Sequence, residues 1–379
     1  MSKLNVLNIV PWFPNPTNNM EGIFIAEHIK ALNKHCANTV LHFQFGKKNQ
    51  YELDAIENIK IERYTLKPII DKWYFKEKLV SKKIADYLAA NSSKYNVVNF
   101  HITYPNAINI TKIANQFPNV KFCMTEHWSA YHSQFNLPKK NKGRKRIEQI
   151  FANNIPLFVV SKALGEDIQN FIQNPDKKFE VIPNCINENT FFFKEKIKKT
   201  DFVFASINNW SVMKNPIVLL NAFAKLTVKH KNIKLVLGGD GALLNDMKEL
   251  VKRLAIEESI TILGRIPKGK VFDILSECNV YCQSSNYETF SVICIEALAT
   301  GTPVIATNIG GMKDFVTAEN GVLVNDLEVE SWFLAMEQTY LNYAKFDRSA
   351  ISKKCLTIYN CNSVGQLFYE KLKNLQNEK

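Results

Sequence analysis

The chain has 379 residues, more than one ordinary hydrophobic core needs and a comfortable length for two. Its 46% hydrophobic and 22% charged residues are the balance of a soluble globular protein and exclude a disordered one. A net charge of +12 suits phosphate-bearing partners or an anionic surface.

In chain order, residues 4–10 form an apolar, β-branched run stopped by Pro11, the pattern of a buried strand. The start has no long apolar stretch with a cleavage site, so no secretory signal is expected, and no later run approaches the ~18 apolar residues of a spanning helix. Residues 22–33 read as an amphipathic helix. Short apolar runs at 97–101, 120–124 and 157–160 read as strands, the last leading into Ser161, an N-cap candidate. Between the second and third of these lies a basic cluster of Lys139, Lys140, Lys142, Arg144, Lys145 and Arg146. Nucleic acid, an anionic membrane, a phosphate-bearing substrate or a plain basic loop each fit it. Without a helix-turn-helix, RNP or zinc-finger pattern, nucleic acid ranks last and is not expected as a partner. After Ile182-Pro183-Asn184 come three phenylalanines and the charged stretch 194–199, which reads as a linker.

A second alternating series follows. Strands are expected at 202–207, 233–237, 260–263, 280–283 and 303–307, with helices at 216–228, 243–254, between 264 and 279, and at 291–299. Such alternation predicts α/β domains with parallel sheets. Two series give two Rossmann-like domains whose sheets face across a cleft, since ligands of open α/β sheets bind beyond the strands' carboxyl ends. The eight cysteines include no C-x-x-C pair, so buried thiols are expected rather than zinc or disulfides.

Residues 284–306 carry the chemistry. A strand ends, a polar loop crosses, and a helix begins near Ser291, so the amides of Ser291, Val292 and Ile293 offer a seat for a diphosphate. Glu288 precedes that seat and Glu296 follows it, and either carboxylate can accept hydrogen bonds from sugar hydroxyls. Spacing alone leaves this reading level with two solvated acids. Gly301 and Pro303 end the helix.

The stretch resembles the signature of the GT-B retaining glycosyltransferases of family 4. That pattern is a Glu, any residue, Phe and Gly, then an apolar run to a second Glu, then A-x-A-x-G-x-P-V-x-A and a Gly pair. Glu288, Phe290, Glu296, Ala297, Ala299, Gly301, Pro303, Val304, Ala306, Gly310 and Gly311 supply it here. Ser291 stands where the family usually has Gly. Residues 206–226 resemble the segment in which an Arg and a Lys meet the donor pyrophosphate. Lys214 holds the lysine position, and Asn209 falls at the arginine, where it can donate one hydrogen bond but no charge. Arg265, after Gly264, is the expected compensating cation. Gly22 resembles the glycine of the family's loop near donor phosphates. His127, in Thr125-Glu126-His127-Trp128, matches the active-site histidine that bonds the transferred sugar; His101 is a candidate for the acceptor side, with Lys139 and Lys140. His28, His35, His42, His132 and His230 are assigned to surface or packing.

The resemblance implies a GT-B architecture. Its expected N-terminal acceptor domain spans 1–190 and is completed by a helix over 359–379, and its donor domain spans 200–358. It also implies transfer, with retention, from a nucleotide sugar, UDP-linked as a family-level expectation, to a saccharide or lipid-linked acceptor of cell-surface polysaccharide or glycoconjugate synthesis. Glu288, His127 and Lys214 are the expected catalytic residues. Gly22, Asn209, Lys214, Arg265, Glu288, Phe290, Ser291, Val292, Ile293 and Glu296 are the expected donor contacts. No cofactor is called for, and no D-x-D triplet or metal-ligand spacing occurs. A cytoplasmic protein, peripheral at the inner membrane face, would suit such an acceptor. The competing readings are a non-catalytic nucleotide-sugar-binding protein and a GT-B nucleotide-sugar epimerase. A glycoside phosphorylase would need a longer chain, and a nicotinamide dehydrogenase a G-x-G-x-x-G after the first strand.

Overall fold

The computed structural model describes residues 4–132, 137–138, 140–196 and 200–377, the side chain of residue 268 aside. The chain divides into two compact units, Met1–Cys185 with Cys361–Lys379, and Ile186–Asn360.

The first unit contains β1 (Asn5–Val10), α1 (Ile23–Asn33), β2 (Ala37–Phe45), β3 (Gln50–Ile56), β4 (Ile59–Leu66), α2 (Trp73–Asn91), β5 (Val97–His101) and α3 (Ile110–Gln116). It continues with β6 (Lys121–Glu126), α4 (Lys142–Phe151), β7 (Leu157–Val159), α5 (Lys162–Ile172) and β8 (Glu180–Val181). Its strands lie in the order β3-β4-β2-β1-β5-β6-β7-β8, all parallel except β3, which pairs antiparallel with β4 at the edge. Chain direction across the sheet reverses between β1 and β5, so their carboxyl ends open a crevice. Ser161 caps α5 as expected, its hydroxyl accepting from the Leu164 amide.

The second unit contains β9 (Phe202–Ile207), α6 (Pro216–Lys229), β10 (Ile233–Gly238), α7 (Leu244–Arg253), β11 (Ile260–Gly264) and α8 (Val271–Glu277). After these come β12 (Val280–Gln283), α9 (Val292–Ala299), β13 (Val304–Thr307), β14 (Gly321–Val324), α10 (Val329–Leu341) and α11 (Arg348–Tyr359). Its six parallel strands run β11-β10-β9-β12-β13-β14, reversing direction between β9 and β12. Phe204, Leu235, Leu237, Val280 and Ile305 from these strands share a core with Leu219, Phe223 and Trp332 from α6 and α10.

The chain returns to the first unit in α12 (Cys361–Asn377), two residues later than the sequence suggested, because Asn360 separates it from α11. Val364, Phe368, Leu372 and Leu375 of α12 pack on Leu4, Val6, Ala31, Leu32 and Val97. Gly365 lets the two helices touch: a Cβ there would collide with the carbonyl of Ala31 in α1.

The structure corrects two readings. The presumed linker belongs to the second unit as far as residue 196: Lys196 Nζ bonds the Cys278 carbonyl and the Arg348 guanidinium sits 5.5 Å from the Phe193 ring centre. The division falls earlier, between Cys185 and Ile186. The basic cluster is not a plain loop either, since 142–151 is helix α4 and Arg144 is buried within it, bonding Glu148 at 2.6 Å and the Phe171 carbonyl at 2.8 Å. Of the histidines assigned to surface or packing, His28 is fully buried and belongs to packing. All eight cysteines are buried.

Candidate active site

Lys214 and Glu288, 74 residues apart in sequence, meet at the reversal point of the second sheet. Lys214 ends a turn following β9, and Glu288 lies in the loop following β12. Backbone and side-chain bonds clamp the two loops. The Asn286 amide donates to the Met213 carbonyl at 2.8 Å, and Ser284 Oγ donates to the carbonyls of Lys214 and Asn215, each at 3.1 Å. Lys214 Nζ then forms a short ion pair with Glu288 Oε1.

The same Oε1 accepts from Gln283 Nε2 and Ser285 Oγ, both at 2.8 Å. Gln283 is itself fixed, donating to Asn208 Oδ1 at 2.9 Å and accepting from Tyr281 Oη at 2.8 Å. No bond to Oε2 is seen among the described residues. The carboxylate is thus held by one oxygen and presents the other. Composition and spacing gave no warning of Gln283; its only signal is a polar side chain ending the apolar strand Val280–Gln283.

Beside Glu288 the chain turns into α9 through Ser291, whose φ of 72° is left-handed. That conformation explains why a glycine suits the position. Val292, Ile293 and Glu296 are half-buried and share one face of α9 by their three- and four-residue spacing. The first-turn amides of Val292 and Ile293 belong to the group a helix leaves without internal partners. Phe290 points inward instead, 5.4 Å from Phe315 and 5.8 Å from Tyr359 between ring centres, so what it can offer a ligand is backbone. The Gly pair of the motif also finds its cause: the Gly311 amide donates to the Glu288 carbonyl at 3.0 Å, and a Cβ on Gly310 would strike that same oxygen.

Asn209 is exposed after β9 and brings no charge; it is its neighbour Asn208 that joins the network, through Gln283. Arg265 is exposed at the end of the edge strand β11, three strands from β12, or about 14 Å at the usual strand spacing. It does not join the Lys214–Glu288 network.

In the first unit, His101 ends β5 and His127 follows β6, while His28 reaches them from α1. Ligand nitrogens of the three lie within 4.8 Å of one another, the grouping among the described residues that has the makings of a metal site. His101 Nδ1 lies 3.2 Å from His127 Nε2, and His101 Nε2 meets Asn99 Nδ2 at 2.9 Å and Asn8 Oδ1 at 3.2 Å. His28 Nε2 donates to the Pro183 carbonyl at 3.0 Å. Burial holds His28 down to about 4 and keeps His101 and His127 well below the usual histidine range, so all three rings are neutral. Both nitrogens of His127 turn inward: Nδ1 finds no partner of proper geometry, with Asn184 beside it favouring the charged ring.

Glu126, one residue earlier, is the organiser that the sequence did not reveal. Its Oε1 accepts from the His127 and Trp128 amides at 2.9 and 3.0 Å. Its Oε2 accepts from the Thr103 amide, Thr103 Oγ1 and Tyr131 Oη at 2.8–3.0 Å. Burial pushes this carboxyl up despite those bonds. Gly22 caps α1 at φ 59°, where a Cβ would meet the Trp12 backbone. Lys140 is exposed; Lys139 lies outside the described residues.

Two family models cover the chain in turn. Residues 187–353 match glycosyl transferases group 1, and residues 22–190 match glycosyltransferase family 4. The chain belongs to the group 1 glycosyltransferases of family 4. Within that family it is 30% identical, over 52% of its length, to the N-acetylgalactosamine-N,N'-diacetylbacillosaminyl-diphospho-undecaprenol 4-alpha-N-acetylgalactosaminyltransferase of Campylobacter jejuni. The match covers 57% of that relative and 37% to 46% of three others, so the chain spans only part of them. Sucrose-phosphate synthase of Thermosynechococcus elongatus superposes with a TM-score of 0.78 at 16% identity, over 98% of this chain and 99% of that one. Anabaena HepE, solved in complex with UDP, gives 0.75 at 16% identity, over 98% and 100%. The fold is GT-B.

Proposed function

We propose that the chain transfers a sugar from a nucleotide-sugar donor, UDP-linked, to a saccharide or lipid-linked acceptor, with retention of anomeric configuration and without a metal. The carrying observation is the one-sided grip on Glu288, with Oε1 held by Lys214, Gln283 and Ser285 while Oε2 is presented beside the start of α9.

The second unit holds the donor in this reading. The Val292 and Ile293 amides and one of the three Lys214 protons meet the diphosphate, Glu296 the ribose hydroxyls, and Glu288 Oε2 a sugar hydroxyl. Asn209, Ser291 and the backbone at Phe290 are secondary contacts, and Arg265 reaches the outer part of the nucleotide. As the anomeric bond lengthens, charge grows on the diphosphate against donors already in place. The acceptor attacks from the departing face, and a phosphate oxygen takes its proton. The first unit serves the acceptor. There His127 bonds the transferred sugar after its ring turns from His101, and His101 with Lys139 and Lys140 lines the acceptor side. HepE was solved with UDP, and the Campylobacter relative is named for an undecaprenol-linked substrate; both support these choices of donor and acceptor. An undecaprenol-type acceptor would place the protein at the inner membrane face in glycoconjugate synthesis.

Nucleotide release across a panel of nucleotide sugars, with and without acceptor saccharides and with chelator added, tests this. We expect acceptor-dependent release from one donor, a product of unchanged anomeric configuration by NMR, and no loss with chelator. Glu288→Gln should lower turnover about 100-fold with the melting temperature unchanged. Wild-type turnover in that variant would overturn the assignment.

A further inference from the structure

Between β4 and the first turn of α2, five large apolar side chains stand in solvent: Ile69 (100% exposed), Ile70 (41%), Trp73 (55%), Tyr74 (43%) and Phe75 (39%). Single exposed apolar residues are ordinary on a protein surface, but five within seven positions are not. Their chemistry is also specific. Two are branched aliphatics able to leave water fully, and Trp73 and Tyr74 carry an apolar ring with a polar edge, the type that settles where hydrocarbon meets headgroup.

Cations surround them. Lys67, Lys72 and Lys78 are exposed, Lys78 Nζ lies 4.4 Å from the Tyr74 ring centre, and Lys76 Nζ lies 4.9 Å from that of Trp73. The two acids of this stretch are already engaged, Asp71 with Lys76 at 2.5 Å and buried Glu77 with Arg146 at 3.0 Å. Arg146 also ties the patch to α4, its guanidinium 5.3 Å from the Tyr74 ring centre. One turn earlier on that helix, exposed Lys142 shares its side. The apolar stretch and the outer half of the basic cluster therefore form one surface.

We propose that this surface docks onto an anionic bilayer, with Ile69, Ile70, Trp73, Tyr74 and Phe75 in the headgroup region and Lys67, Lys72, Lys78 and Lys142 on lipid phosphates. The charge decides the occupant. A second copy of the chain would set lysine against lysine across the patch, whereas an anionic leaflet complements every exposed cation in it. No helix among the described residues is long and apolar enough to cross a membrane, so the contact is peripheral. The proposal deepens the lipid-linked acceptor reading and rests on it for its purpose.

Co-sedimentation of the full chain with vesicles of phosphatidylglycerol and phosphatidylcholine, against phosphatidylcholine alone, tests it. Binding should need the anionic lipid, weaken as salt rises, and fall at least tenfold in the Ile69→Ser, Trp73→Ser double variant. That variant should keep wild-type turnover on a water-soluble acceptor. Should the Trp73 change lower the melting temperature, Ile69→Ser with Ile70→Ser carries the same comparison. Failure to bind anionic vesicles, or equal binding by the variants, would overturn the proposal. So would a concentration-dependent dimer that the variants abolish. Vesicle binding without any sugar transfer by the wild type would uphold the surface and sink the transferase reading.

Discussion

At Ser291 the backbone sits at φ 72° with no side-chain cap, and the hydroxyl turns to Cys294 Sγ at 3.2 Å. A left-handed residue with a Cβ carries roughly 1 kcal/mol of strain that glycine lacks. Ser291→Gly should therefore raise the melting temperature of the second unit by about 2–4 °C in calorimetry. Histidine burial acts in the first unit. His28 titrates near 6.5 when unfolded and about 4 when folded, so the unfolded chain binds its proton first on acidification. The associated stability is whole above pH 6.5 and is lost as pH falls towards 4, about 3 kcal/mol at most. Melting temperature followed across that window should drop, and less steeply in His28→Gln. Neither residue's situation could be read from sequence. The Ser291 substitution was visible but its backbone angle was not, and His28 gains its meaning only where α1 crosses the ends of β5 and β6.

Elements were legible where their apolar runs are short, buried and sharply bounded. Val280–Gln283 and Phe202–Ile207 were readable to the residue, being flanked by polar breaks. Gln50–Ile56 went unread because it is an edge strand, exposed nearly throughout, with no inward face to set a period of two. Lys214 and Glu288 were each singled out by local pattern, but their meeting depends on the strand order that sets β9 beside β12. The loop after β13 shows how tightly that meeting is built. Gly310 lies at φ 51° against the Glu288 carbonyl. Gly310→Ala should destabilise the second unit by about 2–4 kcal/mol and lower turnover with it. Denaturant titration beside a rate assay would show both, and retention of both would mean that the loop can shift freely.

On the scale of the molecule, both units draw their fold from parallel strands, yet only the second is continuous in sequence. The first is completed by α12, whose Phe368 ring lies 5.0 Å from His28 and 6.0 Å from Phe158 between centres. Phe368→Ala should cost about 3–5 kcal/mol, and calorimetry should place the loss in the first unit's transition alone. A shift of both transitions would show the units to be energetically coupled.

That return of the chain bears on how the protein is made. A ribosome finishes the strands of the first unit, then spends on the order of ten to forty seconds on the second before α12 emerges. For that interval Leu4, Val6, Val97 and the inner side of α1 lack their cover, while the second unit, complete in itself, can already close. The half translated first is the half finished last, and a nascent chain stalled before Cys361 should be the form most in need of a chaperone.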